Sequence, residues 1–95
     1  MITKFEWDEN KNKINKEKHG ISFEEAASVF DDENALLRDD PDHSEQEERF
    51  VILGESKQAN LLVVCHCYRQ SETAIRIISA RKATKSETEQ YYEFL

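Results

Sequence analysis

Two segments in the second half of the chain, residues 61–69 (LLVVCHCYR) and 73–81 (TAIRIISAR), are rich in apolar and β-branched side chains. The link between them, residues 70–72 (QSE), is polar and has the length of a hairpin loop. This pattern predicts two adjacent antiparallel strands. It constrains the fold because the remaining elements must either pair beside this hairpin or pack on it.

Three shorter segments extend the predicted sheet: residues 5–7, 35–38 and 49–54. The last four strands follow one another through polar links, so we expect an antiparallel meander. The predicted fold class is α+β, a small antiparallel sheet with two N-terminal helices and one C-terminal helix.

The helices are predicted from their capping residues. Asp8 is placed to cap a first helix that runs to about His19, where Gly20 supplies a left-handed stop. The segment SFEE at residues 22–25 is a capping box that begins a second, shorter helix. The C-terminal helix is predicted to begin near Thr84 or Ser86, each of which has a glutamate three residues later.

The composition fits a single domain covering residues 1–95. With 38% hydrophobic residues, the core is a thin layer between a few packed elements. The longest apolar run, residues 61–65, is far shorter than the about 20 residues needed to span a bilayer, so no membrane segment is expected. The N-terminus lacks the features of a secretory signal, which predicts a cytoplasmic protein with reduced cysteines.

The net charge of −7 at pH 7 argues against a protein that coats nucleic acid with a basic surface. The charge is unevenly distributed, because residues 21–48 hold eleven acidic residues and one arginine, whereas residues 49–95 hold seven basic and five acidic residues. Fields between exposed charges are screened beyond about 8–10 Å at physiological salt. A local cationic pocket is therefore compatible with the overall acidity.

Four arginines lie on or at the ends of the predicted strands: Arg49, Arg69, Arg76 and Arg81. Strict alternation places Arg81 on the same face as Ile75 and Ile77, and Arg76 on the other face. Guanidinium groups bind phosphate bidentately and stay charged, so arginines that converge can stabilise a phosphoryl transition state. The alternative is pairing with nearby carboxylates, which is the role we expect for Arg76 in mid-strand.

Three histidines are candidate proton carriers, because imidazole titrates near neutrality. His19 ends the first helix, where capping is the alternative role, and His43 lies in an acidic loop. His66 lies in mid-strand, where a core or partner-facing residue is expected. The segment Cys65-His66-Cys67 does not favour zinc, because adjacent strand residues point to opposite faces. We expect neither a metal nor a cofactor.

Two long segments have a distinctive order of residues, FEWDENKNKINKEKHGISFEEAASVF at residues 5–30 and IRIISARKATKSETEQYYEF at residues 75–94. Between them lie His43 and Arg49. In this order and spacing, the chain resembles the BrnT family of bacterial type II toxins.

The resemblance implies a fold similar to the RelE superfamily and a ribonuclease that halts translation. It also implies neutralisation by a BrnA-like antitoxin with a ribbon-helix-helix DNA-binding domain. The toxin would then meet operator DNA only through this antitoxin, in a hetero-oligomer such as a 2:2 complex.

On this resemblance we predict metal-independent RNA cleavage, in which the ribose 2′-hydroxyl attacks the adjacent phosphorus. Arg81 and Arg49 are predicted to be catalytic by stabilising the developing charge, with His19 or His43 as acid or base. The predicted RNA-binding residues are Arg69, Lys18 and Tyr91.

Two other hypotheses remain open. The first is a catalytically degenerate binding module that acts only as antitoxin partner and transcriptional co-repressor, and the acid-rich middle of the chain suits a basic partner helix. The second is a sheet-based scaffold without an antitoxin. Loss of RNA cleavage with retained partner binding favours the binding module, and a harmless monomer favours the scaffold.

Overall fold

The computed structural model describes Ile2, residues 4–40 and residues 48–95; residues 41–47, which include His43, lie outside this part. The strands are β1 (Lys4–Glu6), β2 (Leu36–Asp39), β3 (Phe50–Glu55), β4 (Leu61–Arg69) and β5 (Ala74–Lys82). The helices are α1 (Glu9–His19), α2 (Phe23–Ser28) and α3 (Lys85–Glu93), with a 3-10 turn at Val29–Asp31. None of these helices is long and apolar enough to cross a membrane.

The described strands form one mixed sheet in the order β1-β5-β4-β3-β2, which corrects the prediction of an antiparallel sheet. The meander from β2 to β5 is antiparallel as expected. Strand β1, however, runs parallel to β5, with Phe5 opposite Ile75. A three-residue strand has an alternation pattern but no sign of its direction, because the direction depends on a partner at the far end of the sequence.

One face of the sheet carries the main core. The residues that α2 and its flanking turns contribute are Ile21, Phe23, Ala26 and Val29. The sheet contributes Ile52, Leu62, Val64, Ile75, Ile77 and Ala80. Phe23 is among the largest fully buried side chains, so its truncation to alanine would remove about 3–5 kcal/mol of stability.

Helix α1 is held by buried amides instead of an apolar face. Its buried residues are Asn12 and Asn15, whereas Ile14 is 52% exposed. Asn12 Oδ1 accepts a hydrogen bond from the Phe23 N–H at 2.8 Å. The Asn15 amide bonds both the N–H and the carbonyl of Ala80 in β5. The end of α1 is therefore fixed beside β5.

A β-bulge between β4 and β5 changes which residues share a face. His66 lies opposite Ile77, but Cys65 lies opposite Ser79, so Ile78 is an extra residue in β5. Two residues of β5 therefore match one residue of β4 at this point. After Ile78, each side chain of β5 points to the face opposite to the one that strict alternation predicts.

The prediction that Arg81 shares a face with Ile75 and Ile77 is therefore wrong. These two isoleucines belong to the main core together with Ala80, so Arg81 points to the opposite face. Arg76 precedes the bulge and also points away from the core. Neither guanidinium has to be desolvated among the isoleucines, which removes the main energetic objection to arginines in this strand.

Helix α3 covers part of the face that is opposite the main core. Tyr91 packs there with Leu53 and Val63 in a second, smaller cluster. Thr84 caps α3 through a reciprocal capping box with Glu87. The part of this face that α3 leaves uncovered forms the cleft described next.

Candidate active site

The uncovered part of the second face forms a cleft of about 320 Å³. Its charged and titratable lining residues are His19, Asp40, Arg49, Cys65 and Arg81. Val63 and Cys65 of β4 contribute to the lining from the middle of the sheet.

Three of the predicted catalytic residues line this cleft. His19 is the last residue of α1, Arg49 directly precedes β3, and Arg81 is the penultimate residue of β5. They meet because β3 and β5 flank β4, while the Asn15 amide holds the end of α1 against β5. The fourth predicted catalytic residue, His43, lies outside the described residues.

Two of the predicted RNA-binding residues do not line the cleft. Arg69 ends β4 opposite Ala74, near the β1 end of the sheet. Lys18 is exposed on α1 but is not among the lining residues, although its neighbour His19 is. Contact of either residue with RNA stays a prediction.

The third predicted RNA-binding residue, Tyr91, does not line the cleft either. The residue is 4% exposed, and its hydroxyl donates a 2.6 Å hydrogen bond to Asp32 Oδ2. Burial, followed by this bond, raises the pKa of the Tyr91 phenol. The Tyr91 ring is therefore buried between α3 and the sheet, and its contact with RNA stays a prediction.

The Arg81 guanidinium forms a bidentate ion pair with Glu87. Its Nη1 donates to Glu87 Oε1 at 2.7 Å, and its Nη2 donates to Oε2 at 2.9 Å. The hydrogen bonds from Arg81 lower the pKa of Glu87 to about 2 against the opposing effect of burial. The same pair raises the pKa of Arg81. The pair is partly exposed, so its net contribution to stability is about 1 kcal/mol.

The Arg49 guanidinium, unlike that of Arg81, has a buried nitrogen, Nε, without a hydrogen-bond partner among the described residues. The Arg49 carbonyl accepts a 2.9 Å hydrogen bond from the Asp40 N–H, which fixes the backbone where the chain enters β3. A buried donor without a partner is energetically unfavourable, and an anionic oxygen in the cleft would satisfy it.

Asp40 and Cys65 are cleft residues that sequence reasoning missed. The Cys65 thiol faces Asp40 Oδ2 at 3.6 Å. Burial, followed by the negative charge of Asp40, raises the pKa of Cys65 to about 11, so the thiol stays protonated near neutral pH. Asp40 belongs to a long acidic run in which no residue stands out. Glu87 is visible in the sequence only as a capping partner of Thr84.

The arrangement suits chemistry on a phosphodiester. Two guanidiniums provide positive charge on the two sides of a β-strand, and an imidazole and a carboxylate provide groups that exchange protons. These are the components that a phosphoryl transition state requires, since it gains negative charge while one oxygen loses a proton and another gains one.

Comparisons with known proteins identify the family and the fold. A protein-family model described as the ribonuclease toxin BrnT of type II toxin–antitoxin systems matches residues 7–87. The 1.1 Å crystal structure of the Brucella abortus ribonuclease toxin BrnT is similar in fold, with a TM-score of 0.65 and 24% sequence identity over 87% of this chain and 99% of that chain. No curated protein matched. The chain belongs to the BrnT family of ribonuclease toxins of type II toxin–antitoxin systems.

Proposed function

We propose that the cleft is the RNA-cleaving site of this toxin and that it acts without a metal ion. The observation that carries the proposal is the convergence of Arg49, Arg81 and His19 from three separate elements on one cleft. In this reaction the ribose 2′-oxygen forms a bond to the adjacent phosphorus while the bond to the 5′-oxygen breaks. The products are a 2′,3′-cyclic phosphate and a 5′-hydroxyl.

The roles follow from the chemistry of each group. Arg81 and Arg49 neutralise the charge that develops on the non-bridging phosphate oxygens. His19 transfers a proton at the 2′-oxygen or at the leaving 5′-oxygen, and the Asp40 carboxylate of the same cleft is the candidate for the second proton transfer. One guanidinium of this kind typically contributes about 10²- to 10³-fold to kcat.

The experiment is cleavage of a defined RNA by purified Arg81→Ala protein in the presence of EDTA. We expect cleavage to fall about 10²-fold or more, and wild-type activity to be unaffected by EDTA. Arg76→Ala is the matched control, because Arg76 lies on the same strand, points to the same face and pairs with Glu6 outside the cleft. A folded Arg81→Ala protein that cleaves RNA at the wild-type rate would contradict the proposal.

We also propose that cleavage halts translation in the cytoplasm and that the antitoxin is a BrnA-like ribbon-helix-helix protein. Membership of a type II family supports an antitoxin partner. The resemblance to BrnT sequences supports the type of antitoxin, a RelE-like fold and contact with operator DNA through the antitoxin alone. Co-expression with the neighbouring reading frame, followed by mass measurement of the purified complex, tests the partner and a 2:2 stoichiometry.

The second candidate function is a binding module that has lost catalysis. The observation that favours it is the Arg81–Glu87 ion pair, which occupies part of the guanidinium that a phosphate needs. The RNA assay separates the two functions. A wild-type protein that binds its antitoxin but cleaves no RNA would establish the binding module.

A further inference from the structure

Glu87 is connected to two different parts of the molecule. Its Oε1 accepts hydrogen bonds from Arg81 Nη1 at 2.7 Å and from the Thr84 N–H at 2.8 Å, and its Oε2 accepts from Arg81 Nη2 at 2.9 Å. The first and third bonds hold a cleft guanidinium, and the second caps α3. The carboxylate therefore links the orientation of Arg81 to the start of a helix.

We propose that Glu87 is a positioning residue that fixes the Arg81 guanidinium so that its remaining edge serves the substrate phosphate. This inference rests on the proposed function of the cleft. It adds a residue that does not itself line the cleft.

Arg81 keeps N–H groups that can bind a phosphate. A guanidinium has five N–H donors. Two are bonded to Glu87, and another on Nη1 bonds the Lys82 carbonyl at 3.3 Å. The Nε–H and the second N–H of Nη2 remain, and in a planar guanidinium these two point in parallel along one edge. That edge binds two oxygens of one phosphate while Glu87 keeps its own bonds.

Glu87 is itself held in place. The side chain of Thr84 accepts from the Glu87 N–H at 3.2 Å, which completes the capping box. The positive end of the α3 dipole favours a carboxylate at this position. The low pKa of Glu87, caused first by its bonds to Arg81, keeps the carboxylate ionised across the pH range of an RNA assay. Arg81 is thus bonded to a carboxylate that is itself hydrogen-bonded to Thr84 and stays ionised.

The alternative is that Glu87 only caps α3, and Thr84→Ala distinguishes it. That substitution removes the bond from the Glu87 N–H to the Thr84 hydroxyl but leaves the bonds between Glu87 and Arg81 in place. Glu87→Gln leaves an amide oxygen to accept from the Thr84 N–H but removes the charge and one of the two oxygens that hold Arg81. The two variants therefore separate capping from positioning.

The test is steady-state cleavage of a defined RNA by the full chain. For Glu87→Gln we expect kcat to fall roughly 10- to 100-fold with KM within about twofold, because a displaced guanidinium fails mainly in the transition state. For Thr84→Ala we expect cleavage at the wild-type rate. In the double variant Arg81→Ala/Glu87→Gln, we expect the same rate as Arg81→Ala alone, since Glu87 acts through Arg81.

Several outcomes would overturn the inference. One is a Glu87→Gln protein that cleaves at the wild-type rate; another is one that cleaves faster, which would mean that the carboxylate competes with phosphate. Equal losses for Glu87→Gln and Thr84→Ala would reduce Glu87 to a capping residue. A wild-type protein without activity removes the proposed function as well, whereas an active wild type that needs Arg81 but not Glu87 removes this inference alone.

Discussion

The side chain of Asn15 makes the hydrogen bonds to β5 that a neighbouring strand would otherwise make. We therefore expect Asn15→Ala to destabilise the protein strongly. Strand β1 pairs with β5 only as far as Arg76, so among the described strands none pairs with the backbone of Ala80 on that side. The Asn15 amide takes this place, with Nδ2 donating to the Ala80 carbonyl at 2.8 Å and Oδ1 accepting from the Ala80 N–H at 3.2 Å. Nδ2 also donates to the Ile21 carbonyl at 2.9 Å.

The expected loss follows from these three bonds. Asn15 is 6% exposed and Ala80 is 1% exposed, so water replaces the bonds poorly. At a net value of about 1 kcal/mol for each bond, Asn15→Ala loses about 3 kcal/mol. The better helix propensity of alanine restores about 0.5 kcal/mol. The free energy of unfolding should therefore fall by about 2.5 kcal/mol, which lowers Tm by roughly 10–20 °C in a protein of this size.

Urea denaturation followed by circular dichroism measures this change. Asn10→Ala is the matched control, because Asn10 is an exposed asparagine on the same helix and should change stability by no more than about 0.5 kcal/mol. RNA cleavage should fall in Asn15→Ala even at temperatures where the protein is folded, since His19 and Arg81 lie on either side of this contact. A loss of stability below about 1 kcal/mol would show that the three hydrogen bonds of Asn15 contribute less than this reasoning requires.

Three further outcomes are expected. Gly54→Ala should lose about 1–3 kcal/mol in urea denaturation, because its Cβ would lie 2.8 Å from Val29 Cγ1, and a neutral result would contradict the close packing. Tyr91→Phe should lose about 1.5–3 kcal/mol by the same measurement, as a bond to a carboxylate is lost, while RNA affinity stays unchanged. Burial lowers the pKa of His66, so the folded state binds fewer protons than the unfolded state below about pH 6.5, and stability should fall between pH 7 and 5. His66→Phe should flatten this dependence, and an unchanged slope would assign it to other groups.

The local parts of the fold could be predicted from the sequence. The first helix begins after Asp8 and ends before Gly20 as predicted, because a side-chain cap and a left-handed glycine act within a single turn. The predicted strand bounds differ from the observed ones by at most one residue, since the alternation and the polar links are properties of short segments.

The parts that depend on distant residues could not be predicted. The face on which Arg81 lies is reversed by the bulge at Ile78, and this bulge is a property of the pairing between two strands. The aromatic residues of the last helix predict that one side of this helix packs on the sheet. They do not show that Tyr91 is buried and Tyr92 exposed. The ion pair between Arg81 and Glu87 crosses the turn between β5 and α3, so no periodic spacing marks it.

Much of the acid-rich segment and the two cleft arginines lie on different faces of the sheet. Helix α2 and the 3-10 turn, which carry Glu24 and Asp31, pack on the face of the main core. The cleft lies on the opposite face, and of the acid-rich segment it receives only Asp40 among the described residues, beside two arginines, one of which is paired with Glu87 of α3. Because exposed charges farther apart than about 8–10 Å are screened at physiological salt, acidic residues beyond that distance from the cleft contribute little to its electrostatic field. The reversal of β5 at Ile78 is what brings Arg81 to the open face, and a net charge of −7 is therefore compatible with the RNA-cleaving site that we propose there.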